Sequence, residues 1–134
     1  VVDGGDGAMS RMLLPFSLGL GGRLGSGRQW MPWIALEDWV TATYQLIRGD
    51  GSGVYNLVAP EPCRNVGFTK ALGTTLGRPT VLPVPAGALS LILGEFAREA
   101  LLSSCRAHPQ RLLDDGYRFK YPEIGEALSF CLGR

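Results

Sequence analysis

The chain has 134 residues, of which 46% are hydrophobic and 19% charged, and its formal net charge is +1. This length supports one domain with a modest core, and this composition is typical of a folded globular protein and not of a disordered one. The near-neutral charge and the scattered basic residues predict that nucleic acid is not a partner.

The amino-terminal part of the chain predicts strands separated by a helix and a loop. Val1–Val2 has the composition of a strand end, and a helix is predicted from Ala8, interrupted or ended at Pro15. The glycines between positions 19 and 27 predict a loop or hairpin with several positions open to positive φ. A strand is then predicted over Trp33–Leu36.

Two helices and a strand are predicted in the middle of the chain. The clearest helix begins at the acidic pair Glu37–Asp38 and ends before Gly49. A strand is predicted over Val54–Val58, and Asn65 is predicted to cap a further helix that ends at Gly77. This order of elements favours an α/β fold. The apolar residues at helical spacing are Leu36, Val40, Tyr44 and Ile47 in the first helix and Phe68, Leu72 and Leu76 in the second.

The remainder of the chain has a different character. Helices are predicted over residues 85–93, where Pro85 suits a first helical position, and over Phe96–Leu102. A short helix is predicted over Pro109–Leu113. The alternation in Tyr117–Tyr121 predicts a strand, and Pro122–Leu132 is expected to form a final amphipathic helix.

Cysteine usage and hydropathy bear on the compartment. Cys63, Cys105 and Cys131 lie far apart, and their spacing gives neither a zinc site nor a complete set of disulfides. They favour a reducing compartment, so a cytoplasmic protein is predicted. The longest apolar stretch, from Leu82 to Leu93, is interrupted by prolines and a glycine and is shorter than the roughly 20 residues that cross a bilayer. No membrane partner is expected.

The motifs of dinucleotide-dependent enzymes are missing from the sequence. Each of three glycine pairs lacks the third glycine of G-x-G-x-x-G, because Ser10, Leu24 and Trp30 stand in its place. Neither Lys70 nor Lys120 follows a tyrosine by four residues, so the Tyr-x-x-x-Lys pair of short-chain dehydrogenases is also missing. We therefore interpret the glycine-rich segment as a flexible hairpin and not as a phosphate cradle.

The remaining titratable residues are interpreted structurally. His108 has no Ser or Cys nearby in a nucleophile motif. The pairs Glu37–Asp38 and Asp114–Asp115 are adjacent in sequence, so their side chains point in different directions on a helix or strand. They are interpreted as solvated helix starts and turns and not as an acid/base pair. No catalytic residue and no metal site is predicted.

Four residues are candidates for contact with a substrate. Arg28 and Gln29 lie at the exit of the glycine-rich segment, close to Trp33. An arginine there can fork to a phosphate or carboxylate while an indole stacks on a base or sugar face, or it can be an ordinary surface residue. Asn56, at the end of the second strand, can donate to a ligand or fix its own turn.

Several segments in a fixed order carry a resemblance to a known family. They are Gly25–Ile34 with Glu37–Asp38, then Gly53–Asn56, and later Asn65–Leu72, His108–Leu113 and Gly116–Phe119. Together they resemble the carboxyl-terminal half of epimerase-family proteins. These are extended short-chain dehydrogenase/reductases related to nucleotide-sugar epimerases, and they carry a carboxyl-terminal domain of unknown function. The chain departs from the family at Ala35, where a histidine is usual, and at Asp3, where an apolar residue is.

The resemblance implies a Rossmann domain that binds NAD(P), followed by a smaller substrate domain. Residues 1–62 would be the last Rossmann-associated elements and the substrate-side loop, and residues 63–134 the domain of unknown function. The cofactor-binding and catalytic part would precede Val1, so NAD(P) is implied for the full-length relatives. This chain alone is expected neither to bind it tightly nor to be active. The implied partner is a small, nucleotide-sugar-like substrate.

A second hypothesis remains open from the same sequence. The chain can instead be a non-enzymatic binding or regulatory module derived from this fold. An exposed sheet edge and an apolar surface would then hold a partner, or a second copy of the chain.

Overall fold

The computed structural model describes residues 1–5, 7–85, 87, 88, 91, 94, 99 and 101–134. Helices and two short strands alternate along this part of the chain, as the α/β prediction requires. The predicted helices over 85–93 and 96–102 lie mostly outside the described residues. The elements are α1 (Gly7–Ser17), β1 (Trp30–Met31), α2 (Leu36–Arg48), β2 (Cys63–Arg64), α3 (Asn65–Leu76), α4 (Gln110–Asp114) and α5 (Ile124–Cys131).

Three extended segments run side by side and lead into the helices. Val2 and Ala35 form a parallel bridge, in which the Val2 N–H donates to the Ile34 carbonyl at 2.7 Å. The next carbonyl back along the chain, that of Trp33, accepts from the Ala59 N–H at 2.7 Å. Successive carbonyls of an extended chain point to opposite sides, so the central segment lies between the other two.

Regular strand pairing is shorter than predicted and lies elsewhere. β1 pairs antiparallel with β2 in the register Trp30↔Arg64 and Met31↔Cys63. The pairing stops where Pro32 follows one strand and Pro62 precedes the other, because proline has no N–H to donate to the ladder. The predictions of regular strands over Trp33–Leu36 and Val54–Val58 were therefore wrong, although Ala35 joins one bridge.

α1 runs through Pro15 and ends at Ser17, so the proline neither interrupts it nor ends it. A proline in the last turn removes only one hydrogen bond, because it lacks the backbone N–H that would donate to a carbonyl of the preceding turn. Phe16, which follows it, is 4% exposed and keeps this turn against the core.

The main core lies where α1, α3 and α5 meet the extended segments. Leu72 of α3 and Leu128 of α5 are fully buried, and they pack with the aromatic rings of Phe16, Trp33 and Phe68. The apolar face predicted for α3 is therefore confirmed at Leu72, and the buried Leu128 fits the amphipathic helix predicted over Pro122–Leu132. A smaller cluster contains Ala42, Leu112 and Tyr117 and lies between α2 and the segment after α4.

The apolar face predicted for α2 is not its buried face. Leu36, Val40, Tyr44 and Ile47 are between 42% and 76% exposed, and the helix instead buries Asp38 and Ala42. The periodicity thus identified the helix correctly, but it did not identify the side that faces the described core.

Residues 117–121 do not form the predicted strand, because their donors have another acceptor. The carboxylate of Asp38 accepts from the backbone N–H of Lys120 at 2.8 Å and of Tyr121 at 2.9 Å, and from the Tyr117 hydroxyl at 3.0 Å. Asp38 is 1% exposed, so its interpretation as a solvated residue was wrong. Its neighbour Glu37 is partly exposed and pairs with the Lys120 ammonium at 2.6 Å.

We expect Asp38→Asn to lower the free energy of unfolding by about 2–4 kcal/mol, because an amide NH₂ would face donors that a carboxylate now satisfies. Urea denaturation measures this change. The matched control is Asp50→Asn at an exposed position, which should change stability by less than about 0.5 kcal/mol. Equal effects of the two substitutions would contradict a structural role for the Asp38 carboxylate.

Candidate functional site

Two buried amides fix the glycine-rich segment against α3. The Asn65 side chain accepts from the Leu24 N–H at 2.7 Å, and the Gln29 side chain donates to the Leu24 carbonyl at 3.1 Å and to the Leu101 carbonyl at 3.2 Å. α3 begins at Asn65 itself, with Arg64 as the N-cap residue. The prediction that Asn65 caps this helix was therefore wrong, since its amide binds the loop.

The glycines of this segment serve close packing. A Cβ at Gly21 would overlap the Phe16 ring, and a Cβ at Gly22 would overlap the Leu82 carbonyl. The segment continues into a parallel bridge between Leu24 and Val84. It thus connects a helix to a strand, whereas a dinucleotide cradle connects a strand to a helix. This segment therefore lacks the connection on which a dinucleotide cradle is built.

A cleft of about 240 Å³ opens between the start of the chain, α1 and β1. Its size approaches the roughly 300–1,000 Å³ of typical small-molecule sites. The indole N–H of Trp33 donates to the Glu61 carbonyl at 3.1 Å and so fixes the ring that forms one wall. The lining residues are mainly apolar: Val1, Val2, Ala8, Met9, Met12, Trp30, Met31, Pro32, Trp33, Phe68, Leu101, Ser103 and Cys105.

Two arginine side chains lie against the ring of Trp30, which lines this cleft. The Cζ atoms of Arg64 and Arg106 are 4.6 and 4.7 Å from its ring centroid. The Trp30 backbone is held as well, since its N–H donates to Ser104 Oγ at 3.0 Å and its carbonyl accepts from the Cys105 N–H at 3.1 Å. Sequence reasoning missed both arginines, because their contacts with Trp30 depend on hydrogen bonds between segments that lie far apart in the sequence.

Of the four predicted substrate residues, only Trp33 lines the cleft. Gln29 is buried, and its side-chain NH₂ donates to two carbonyls, which gives it a positioning role. Asn56 is exposed and donates to the His108 carbonyl at 3.2 Å. Arg28 is exposed, and its backbone N–H donates to the Ser26 hydroxyl at 3.3 Å. Substrate contact by these four residues stays a prediction.

The part of the chain that the structure describes holds no group of three or more His, Cys, Asp or Glu side chains placed to bind a metal ion. It also has no helix with the length and hydropathy needed to span a bilayer.

The sequence has clear counterparts among known proteins. Residues 84–131 match a family described as a domain of unknown function, DUF1731. The chain is 46% identical over 130 residues to the epimerase family protein MT2273 of Mycobacterium tuberculosis, covering 96% of this chain and 43% of that protein. It is 42% identical over 129 residues to the human epimerase family protein SDR39U1, covering 96% and 44%. The predicted boundary between residues 62 and 63, which would separate the Rossmann-associated elements from the domain of unknown function, stays a prediction.

Two solved structures have the same fold over nearly the whole chain. One is human SDR39U1 (isoform 2) with NADPH, with a TM-score of 0.91 and 37% identity, covering 98% of this chain and 45% of that one. The other is a nucleoside-diphosphate sugar epimerase of Corynebacterium glutamicum, with a TM-score of 0.74 and 31% identity, covering 98% and 24%. The chain thus spans less than half the length of these relatives.

The three thiols should react with a maleimide at clearly different rates at neutral pH. Cys105 is exposed beside the cleft, whereas burial raises the pKa of the Cys63 thiol and of the Cys131 thiol, which lowers their thiolate fraction. We expect Cys105 to be labelled first and Cys63 last, as followed by mass spectrometry of peptides. Cys105→Ser should remove the fast phase, and labelling of Cys63 in that phase would contradict the described packing.

Proposed function

We propose that this chain, which corresponds to the carboxyl-terminal part of epimerase family proteins, supplies the substrate side of an NAD(P)-dependent active site. The observation that carries the proposal is the apolar cleft between α1 and β1, walled by Trp30 and Trp33. The cleft adjoins Val2, which forms the parallel bridge at the start of the chain. A substrate held there would lie beside the parallel extended segments.

The cofactor side of such a site would come from a separate dinucleotide-binding unit. The relatives are more than twice as long as the part that this chain matches, which leaves room for such a unit. The human relative was crystallised with NADPH, and this chain covers 45% of it. A bound nicotinamide supplies hydride chemistry. The residues of this chain would bind and orient the substrate and exclude water from it, with Trp33 fixed by its bond to the Glu61 carbonyl.

A chimera tests this division of labour. We expect the isolated chain to give no saturable heat with NADPH in calorimetry. A chimera in which it replaces the matching part of human SDR39U1, which was crystallised with NADPH, should bind NADPH, because the cradle then comes from the relative. The control is the parent relative measured in parallel. Saturable NADPH binding by the isolated chain would overturn the proposed division.

Within the chimera, a cleft-filling variant separates substrate binding from cofactor binding. Met12→Trp places a larger side chain into the cleft that Met12 lines, and Met12 is 7% exposed. We expect reduction of any carbonyl compound that the parent reduces to be lost while NADPH affinity changes less than about threefold, since only the substrate side is altered. Unchanged turnover in this variant would place the substrate elsewhere.

A second function, the binding module, is favoured by one observation. The exposed face of α2 borders a groove of about 560 Å³ that also reaches Val2 and Phe130. Exposed apolar surface of this kind mediates association with other polypeptides. This function requires no cofactor.

Light scattering over a range of concentrations tests the module. If the α2 face mediates association, the apparent mass should rise with concentration, and Ile47→Lys should lower it because a charge opposes burial. The matched control is Val81→Lys, since Val81 is 83% exposed and lies outside the helices, whereas Ile47 is 76% exposed. A monodisperse chain, or equal effects of both substitutions, would argue against the module.

A further inference from the structure

The two guanidinium groups against Trp30 have no carboxylate partner in the described part of the chain. The ion pair found there joins Lys120 to Glu37, away from this edge of the cleft. Glu61 lines a shallow depression together with Arg106 but forms no ion pair with it. Arg64 and Arg106 are both exposed, so each can turn its N–H groups toward a ligand. Stacking on the indole face keeps both guanidiniums close to the ring.

The surroundings of this pair add to its positive potential. Arg64 is the N-cap residue of α3, a twelve-residue helix with no acidic side chain in its first turn, so no carboxylate of that turn offsets the positive end of the helix dipole. Arg28 belongs to the same corner, because the carbonyls on either side of it, from Gly27 and Gln29, accept from the first N–H groups of α3 at 3.0 and 2.9 Å.

The cleft beside the arginines has the opposite character. None of its lining side chains is charged, and two indoles and three methionine thioethers contribute to its walls. Trp30 and Cys105 line both the cleft and the depression that Arg106 borders, so the charged and apolar regions are continuous. A molecule that filled the cleft and reached Arg106 at its edge would need an apolar body with an anionic group at one end.

We propose that Arg64 and Arg106, stacked on Trp30, bind the phosphate or carboxylate of a small organic anion whose apolar body occupies the cleft. This inference rests on the proposed substrate-side function, since it names the chemistry of the molecule held there. Arginine suits the role because its planar fork donates two parallel hydrogen bonds to either group. The stacked ring limits the positions that each fork can take.

Titration of the isolated chain with four probes at constant ionic strength tests the proposal, with tryptophan fluorescence and calorimetry as readouts. Phenyl phosphate and phenylacetate combine a ring with an anion, whereas benzyl alcohol lacks the charge and inorganic phosphate lacks the ring. We expect saturable binding of at least one ring-bearing anion, about tenfold or more tighter than either control probe. The tighter of the two anions identifies the group as phosphate or carboxylate.

Variants assign the binding to the arginine pair. Arg64→Gln and Arg106→Gln should each weaken the anion by about tenfold, whereas Arg118→Gln, at an exposed position without a described partner, should not. Arg64→Lys keeps the charge but loses the fork, so it should weaken binding by a smaller factor even if a glutamine variant fails to fold.

Two results would overturn the inference. One is the absence of saturable binding by either ring-bearing anion, and the other is an equal loss of affinity in the control variant Arg118→Gln. The titration needs no dinucleotide, so its outcome is separate from the chimera experiments. If the chimera failed to bind NADPH, a measured anion site on the isolated chain would still be valid. If neither anion bound, the proposal that the cofactor side comes from a separate dinucleotide-binding unit would not be affected.

Discussion

The cleft depends on the hydrogen bonds that two buried amides make around Leu24. Asn65 accepts from the Leu24 N–H and Gln29 donates to the Leu24 carbonyl, so both polar groups of one loop residue are satisfied in the interior. Asn65 is fully buried, and an orphaned group there would cost about 1–3 kcal/mol. The same amides fix the start of α3 and the approach to β1. The wall that contains Trp30 therefore has a defined position although β1 has only two residues.

A second buried polar group, the carboxylate of Asp38, connects the carboxyl-terminal end of the chain to α2. Asp38 lies in the first turn of α2, which follows the central extended segment, and its carboxylate holds the backbone at Lys120 and Tyr121 just before α5. Burial raises the pKa of the Tyr117 hydroxyl, which therefore keeps its proton and donates to Asp38. Since Leu128 of α5 completes the main core, one carboxylate links the position of this helix to that of α2.

Local patterns predicted the helices well and the tertiary partners poorly. The termini of α2 follow from its acidic first turn and from Gly49, and these signals lie within one helix. Whether Tyr117–Tyr121 forms a strand depends on an acceptor about 80 residues away in sequence, which alternation cannot reveal. The arginine pair was missed for the same reason. Arg64 reaches Trp30 only through the antiparallel register, and Arg106 only through a segment bonded to β1.

The signs of the exposed charges distinguish the cleft of Trp30 from the groove beside α2. The groove beside α2 is bordered by Asp3 and Glu37, and the lysine that pairs with Glu37 offsets only one of these charges. An anion near this groove therefore approaches two carboxylates, of which one is paired with a lysine. Near the cleft of Trp30 it approaches two arginines and the carboxylate of Glu61. Like charges repel and opposite charges attract most strongly where water is partly excluded. The balance of charge thus favours the cleft of Trp30 over the groove beside α2 for the anion that we propose, and the proposed partner of the α2 face would carry no such charge.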